Sequence, residues 1–197
     1  MIKRRFQSTS RMAGQAGMAG QAGDRPMPNL AFNMMTFLLK TRDFFLPRAH
    51  VLAEVGLKPG QRVLDYGCGP GGYVAETARL VGQDGRVYAL DIQPLALQKV
   101  QTIARQNNLT NVETIHSNCQ TGLPDHRIDV VLLYDIFHMF SNPQAILAEL
   151  HRILKPEGIL SFSDHHMKEE DILAGVTRSQ LFKLSQRGQK TYTFVKA

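Results

Sequence analysis

The chain has 197 residues, of which 43% are hydrophobic, 8% aromatic and 20% charged, the balance of a globular protein with one well-buried core. Its 23 lysines and arginines against 17 acids give a formal net charge of +6, but Lys3, Arg4, Arg5, Arg11 and Arg25 face Asp24 alone within residues 1–25, so the remaining body is nearly neutral. Two cysteines, Cys68 and Cys119, exclude a disulfide framework and a four-cysteine zinc site and read as reduced thiols. The most apolar stretch, Leu30 to Leu39, falls well short of the ~20 residues that span a bilayer, and the N-terminus lacks a signal-peptide apolar region.

Residues 1–28 carry a tandem Met-Ala-Gly-Gln-Ala-Gly repeat at Met12 to Gly17 and Met18 to Gly23, a composition that predicts a disordered basic tail. Its Arg and Ser content without acids before Asp24 also fits a transit peptide. A cytoplasmic location is therefore expected, with the mitochondrial matrix as the alternative. From residue 29 to 197 one domain is expected, opening with a helical lid over 29–58. There Leu30, Met34, Phe37, Leu38 and Phe45 recur at helical spacing as far as Phe45, and a second helix runs from Pro47 to Val55.

After Gly60, apolar runs at Arg62–Tyr66, Arg86–Leu90, Val112–His116, Val130–Tyr134 and Ile159–Ser163 read as strands. Between them lie helical segments at Tyr73–Val81, Pro94–Asn107 and Pro143–Leu154, the last opened by Ser141, Asn142 and Pro143. This alternation predicts an α/β fold built of right-handed βαβ units, with a mostly parallel sheet and helices on both faces. Leu181 to Gln186 and Lys190 to Lys196 flank Arg187-Gly188-Gln189 as an antiparallel hairpin at one edge.

The chemistry centres on Val63-Leu64-Asp65-Tyr66-Gly67-Cys68-Gly69-Pro70-Gly71-Gly72-Tyr73, a strand ending in a glycine-rich turn that opens a helix. Such a turn lets a ligand approach the backbone. Asp65 stands two residues before the first glycine, where it would repel a pyrophosphate but suit the amino group and sulfonium of S-adenosylmethionine. The lysine of a Walker loop is missing. Asp91 ends the next strand 19 residues after Gly72, the distance expected for a carboxylate that accepts ribose hydroxyls. It could equally cap the helix that begins at Pro94.

Val63 to Gly72, Tyr88 to Ile92, Leu123-Pro124 before Ile128 to Leu132, and Leu150-His151-Arg152-Ile153-Leu154-Lys155-Pro156-Glu157-Gly158 resemble class I S-adenosylmethionine-dependent methyltransferases. The likeness runs from about Leu52 to Lys196. It is strongest to the small-molecule branch of ubiquinone and menaquinone C-methyltransferases and arsenite methyltransferases. The resemblance implies a Rossmann-like, seven-stranded sheet with a reversed last strand, and S-adenosylmethionine as cofactor. It further implies that Gly67, Cys68 and Gly69, with Gly71 in the same turn, flank the methionine portion while Asp65 holds its amino group. Asp91 and Ile92 would take ribose and adenine, and Tyr134 would line the donor site. Similar proteins place an Asp after the third strand to accept the adenine amino group; here Cys119 holds that position, which leaves Asn118 or backbone groups to read adenine.

Beyond the fourth strand, Asp135 and His138 lie where such proteins face the acceptor, and Ser163-Asp164-His165-His166 follows the fifth strand at the same sheet edge. Asp135, His138, His165 and His166 are the candidate bases, or else a capping Asp and packing histidines. No metal is expected, because neighbours on an extended chain point oppositely and so keep His165 and His166 from sharing an ion.

The expected function is methyl transfer to a small, apolar or aromatic acceptor by in-line displacement. Arsenite is disfavoured, since one cysteine besides Cys68 cannot chelate it. The aromatic, Met-rich segment around Phe32 and Phe37 reads as an acceptor lid or as a homodimer surface, and peripheral membrane contact stays open. Nucleic acid is not expected, because basic and aromatic residues do not cluster in the body. A non-catalytic S-adenosylmethionine binder and an RNA or protein methyltransferase are the alternatives.

Overall fold

The computed structural model describes residues 25–36 and 48–197. The tail over 1–24 and the lid segment 37–47, with Phe37, Leu38 and Phe45, lie outside the described residues. Helix α1 occupies residues 29–36 and α2 spans Ala49–Val55; these are followed by β1 Arg62–Tyr66, α3 Val74–Val81, β2 Arg86–Asp91, α4 Pro94–Gln106 and β3 Val112–His116. The second half runs β4 Ile128–Tyr134, a 3₁₀ turn at Phe137–Met139, α5 Pro143–Ile153, β5 Leu154–Ser163, α6 Glu169–Thr177, β6 Phe182–Arg187 and β7 Tyr192–Lys196.

The seven strands are ordered β3-β2-β1-β4-β5-β7-β6. All pairs from β3 to β5 are parallel, and β7 runs antiparallel to both β5 and β6, so the expected reversed last strand is present. Connections go left from β1 and then right to β4. The crevice between β1 and β4 is therefore the topological switch point, where open α/β sheets bind ligands at the strand carboxyl ends.

Alternation along each strand assigns residues to two cores. Leu64, Tyr66, Val131, Leu133 and Phe162 pack on the side of α5 and α6 with Leu147, Leu150 and Val176. Val63, Val87, Val130, Leu132 and Tyr134 pack on the side of α2, α3 and α4 with Leu52, Val74, Ala78 and Val100. Asp65 follows the same period of two as Val63 and falls on the second side.

Three elements depart from the sequence reading. Helix α5 passes into β5 without a loop, yet the register jumps from Ile128↔Leu154 to Val130↔Ile159, so residues 155–158 bulge out and regular pairing starts at Ile159. Helix α6 has no counterpart among the expected elements. In α1 the buried residues are Phe32 and Thr36, while Leu30 and Met34 are 83% and 65% exposed; the helix presents a different stripe from the one its apolar spacing suggested, because Phe32 docks on α4 beneath Lys99.

Candidate functional site

Asp65, near the carboxyl end of β1, is 3% exposed, and its Oδ2 has no hydrogen-bond partner among the described residues. Burial pushes its acid up to about 7, Arg48 opposes the shift and Asp91 adds to it. Arg48 precedes α2, and its guanidinium lies 4.5 Å over the Tyr73 ring. It also covers Gly72, where any side chain would strike it. A cation and an unsatisfied buried acid thus share one wall of the crevice.

The turn itself is held by β2. Gly67 and Cys68 donate their N–H groups to Leu90 O at 2.8 and 2.9 Å, and Gly69 donates to Asp91 Oδ2 at 2.8 Å. These amides shape the turn and are not aimed at a ligand. The open part is Gly69, whose φ of 52° suits glycine and whose Cβ position meets nothing within 4 Å. Gly71 serves packing instead, since a Cβ there would come 3.0 Å from Val100. Burial drives the Cys68 thiol pKa well up, which keeps it neutral.

Asp91 does not cap α4, whose N-cap position is held by Gln93 without a side-chain cap bond; its Oδ1 instead accepts the Gln93 N–H at 2.8 Å in the turn just ahead of the helix. Burial raises its pKa despite the amides of Gln93 and Gly69. Ile92 directs its carbonyl to His116 Nε2 at 2.9 Å. Beyond β3, an open groove of about 500 Å³ is lined by Ser117, Asn118 and Cys119. Asn118 is exposed and its carbonyl accepts the Tyr66 hydroxyl at 3.2 Å, while the half-buried Cys119 donates its N–H to Ser117 Oγ.

Tyr134, the last residue of β4, is 7% exposed. Its hydroxyl pairs with Ser161 Oγ at 2.7 Å within the core, and its ring meets Tyr73 edge-on at 4.9 Å. Being on the α3 side of β4, it supports the crevice from beneath.

The four candidate bases converge, in a pattern the sequence did not reveal. His138 Nδ1 bonds Asp164 at 2.8 and 3.0 Å, and His165 Nδ1 bonds Asp135 at 2.7 Å. Each strand end therefore holds the other's histidine. Asp164 is buried and also accepts the N–H groups of His138 and His166. Asp135 sits at φ 54°, an uncommon conformation for a residue with a side chain. The expectation that His165 and His166 diverge fails, because a turn replaces extended chain there: their ring centroids are 3.8 Å apart, and His166 to His138 is 4.5 Å. No group of three or more His, Cys, Asp or Glu among the described residues is arranged to hold a metal ion.

Sequence reasoning missed three contributors. Arg48 sits in a segment read only for apolar spacing. Gln93 follows the recognised Asp91 by two residues. Asp164 stands out beside the histidines but not as their hub, although an Asp-His-His run after a strand was the available signal.

Two buried carboxylates beside a glycine turn repel phosphate and suit a cationic adenosyl ligand, and the reversed seventh strand completes the architecture. Fold and crevice are those of a class I S-adenosylmethionine-dependent methyltransferase domain. Residues 57–195 match the family described as methyltransferase domain, and the chain belongs to that family. It is 29% identical over 129 residues to a demethylmenaquinone methyltransferase of Geobacillus stearothermophilus, covering 65% of this chain and 55% of that protein. It is 26% identical over 155 residues to the ubiquinone/menaquinone biosynthesis C-methyltransferase UbiE of a Marinomonas species, covering 78% and 62%. The chain thus spans a little over half the length of these relatives. Among solved structures, a SAM-dependent methyltransferase from Aquifex aeolicus superposes with a TM-score of 0.69 at 27% identity, covering 79% of this chain and 92% of that one. An arsenic(III) methyltransferase from Chlamydomonas reinhardtii shares the fold with a TM-score of 0.56 at 21% identity, covering 69% and 62%.

Proposed function

We propose that this protein methylates a small aromatic or apolar acceptor, with a quinone-type ring the favoured class. The observation that carries the donor site is the buried, unpartnered oxygen of Asp65 at the switch point, which an ammonium group would satisfy. Arg48, on the same wall, suits the carboxylate of the donor's methionine portion. Asp91 takes the ribose, and Ile92, Asn118 and Cys119 flank the adenine. When bound, the donor supplies an electrophilic methyl group on its sulfonium.

The acceptor side rests on the crossed Asp–His pairs. A carboxylate only accepts hydrogen bonds, so Nδ1 of both His138 and His165 carries a hydrogen, which in the neutral ring leaves the lone pair on Nε2. Either nitrogen can then take a proton from an acceptor hydroxyl or activated ring carbon as its nucleophilic electron pair forms. The names of the relatives support a quinone-type acceptor. The lack of a paired thiol, with both cysteines free and Cys68 buried, weighs against arsenite. Among the described residues no helix is long and apolar enough to cross a membrane.

The test is calorimetric titration with S-adenosylmethionine, S-adenosylhomocysteine and NADH, followed by transfer of labelled methyl into reduced quinones and phenols. Micromolar binding of the adenosyl ligands and label in an aromatic acceptor are expected. NADH binding alone would overturn the donor site, and donor binding without transfer to any aromatic acceptor would overturn the acceptor reading.

A further inference from the structure

The N-terminal arm docks beside the ribose position, and its contact residue has one polar atom to spare. Gln93 donates its backbone N–H to Asp91 Oδ1, and its side chain is 4% exposed. Its Nε2 donates to Met27 O at 3.2 Å and Asn29 Oδ1 at 3.3 Å. The Met27 carbonyl can only accept, which fixes the orientation of the amide. The other end, Oε1, is buried with no partner among the described residues. Phe32, one turn further along the arm, is 2% exposed with Lys99 of α4 at 5.8 Å from its ring.

A buried amide oxygen lacking a donor is unfavourable unless a ligand supplies one. Asp91 already accepts two backbone amides, so a further acceptor beside it would share the hydroxyls of a sugar. We infer that Gln93 Oε1 accepts from the ribose 2′-hydroxyl of the bound adenosyl ligand, and that residues 27–36 form a clasp which must release from α4 before that ligand leaves. This inference rests on the proposed donor site, with Asp91 at the ribose. The arm then sets the residence time of the nucleoside, and its Phe32 anchor acts only by positioning.

The experiment titrates the full chain with S-adenosylhomocysteine and with its 2′-deoxy analogue. Gln93→Ala should weaken the ribose ligand about tenfold, the size of one lost hydrogen bond, while changing the deoxy analogue much less. Equal weakening of both ligands, or of neither, would overturn the hydroxyl contact. The wild-type protein provides a check that does not depend on folding of a variant, since it must prefer the ribose ligand over the deoxy one. Stopped-flow dissociation of S-adenosylhomocysteine from Phe32→Ala, and from the milder Asn29→Ala, should be several-fold faster with the melting transition retained. Unchanged dissociation in both would overturn the clasp. Failure of the wild type to bind S-adenosylhomocysteine at all would instead sink the donor site itself.

Discussion

Replacing Asp65 with Asn separates stability from binding. Burial holds the acid at about 7 against an ordinary 3.8. Below pH 3.8 it is protonated in folded and unfolded chains alike, and no stability difference arises. Between 3.8 and 7 the unfolded chain releases the proton that the folded chain keeps, so stability falls as pH rises through this window and is level above it. At 1.36 kcal/mol per pH unit the full loss is about 4 kcal/mol. The Asp65→Asn side chain would be neutral throughout and escape that loss, though its own buried amide, partly unpaired, costs about 1–3 kcal/mol. The net expectation above pH 7 is a ligand-free variant more stable than the parent by roughly 1–3 kcal/mol, a melting shift of a few degrees up to about ten for a chain of this size. Binding should move the other way. The loss of a charge-assisted hydrogen bond is worth about 1.5–3 kcal/mol, so S-adenosylmethionine affinity should drop roughly 10- to 150-fold. The parent's own affinity should fall as pH drops below 7, because the ammonium needs the ionised acid. Thermal melts at pH 5.5 and 8, paired with calorimetry in two buffers of different ionisation enthalpy, read all three effects. A variant with an unchanged melting point at pH 8 and parental donor affinity would refute the reasoning.

Other substitutions probe separate parts. Asp164→Asn removes the carboxylate that sets the His138 tautomer, and should cut turnover by about 10²-fold while donor affinity stays parental; unaltered turnover would dismiss the crossed pair as a base. Tyr134→Phe loses only the bond to Ser161 and should cost about 1 kcal/mol of stability with no change in donor binding, measured by denaturant titration. Glu54 accepts from the Lys190 and Thr191 amides and the Thr191 hydroxyl, tying α2 to the hairpin turn. Burial works against its charge, but those hydrogen bonds prevail and hold its pKa below the ordinary value. Its contribution is therefore fully present above the ordinary carboxylate value and is lost as pH falls from there through the depressed folded value. Glu54→Ala should cost about 1–3 kcal/mol at neutral pH and progressively less as pH falls below the ordinary carboxylate value, which a denaturation series across acidic pH would show.

Much of the framework was legible because it depends on local pattern. The five parallel strands stood out as Val-, Ile- and Leu-rich runs between helical segments, and a glycine turn after the first strand with acids at the ends of two strands located the crevice. Asp65 and Asp91 were singled out in this way, and both are buried at the carboxyl ends of β1 and β2. The crossed pairing of Asp135 with His165 and of Asp164 with His138 was not, since residues 26 to 30 positions apart meet only when β4 and β5 lie side by side. Helix α6 has three acids in its first turn, favourable at a helix N-terminus, but just two buried residues, Ile172 and Val176, too few to mark an apolar stripe. The apolar face of α1 was misassigned because spacing defines a stripe without saying what it will meet.

The amino-acid order by itself determined the βαβ alternation, the hairpin that reverses the last strand, and the acidic glycine turn, because dihedral preferences and two- and 3.6-residue periods act between near neighbours. Only the tertiary structure decided which carboxylate is left with an unpartnered oxygen, which amides are spent on β2, and that Arg48, Gln93 and Asp164 lie against Asp65, Asp91 and His138. Burial and pairing depend on the whole packed environment of a group, and that environment is assembled from segments distant in the chain.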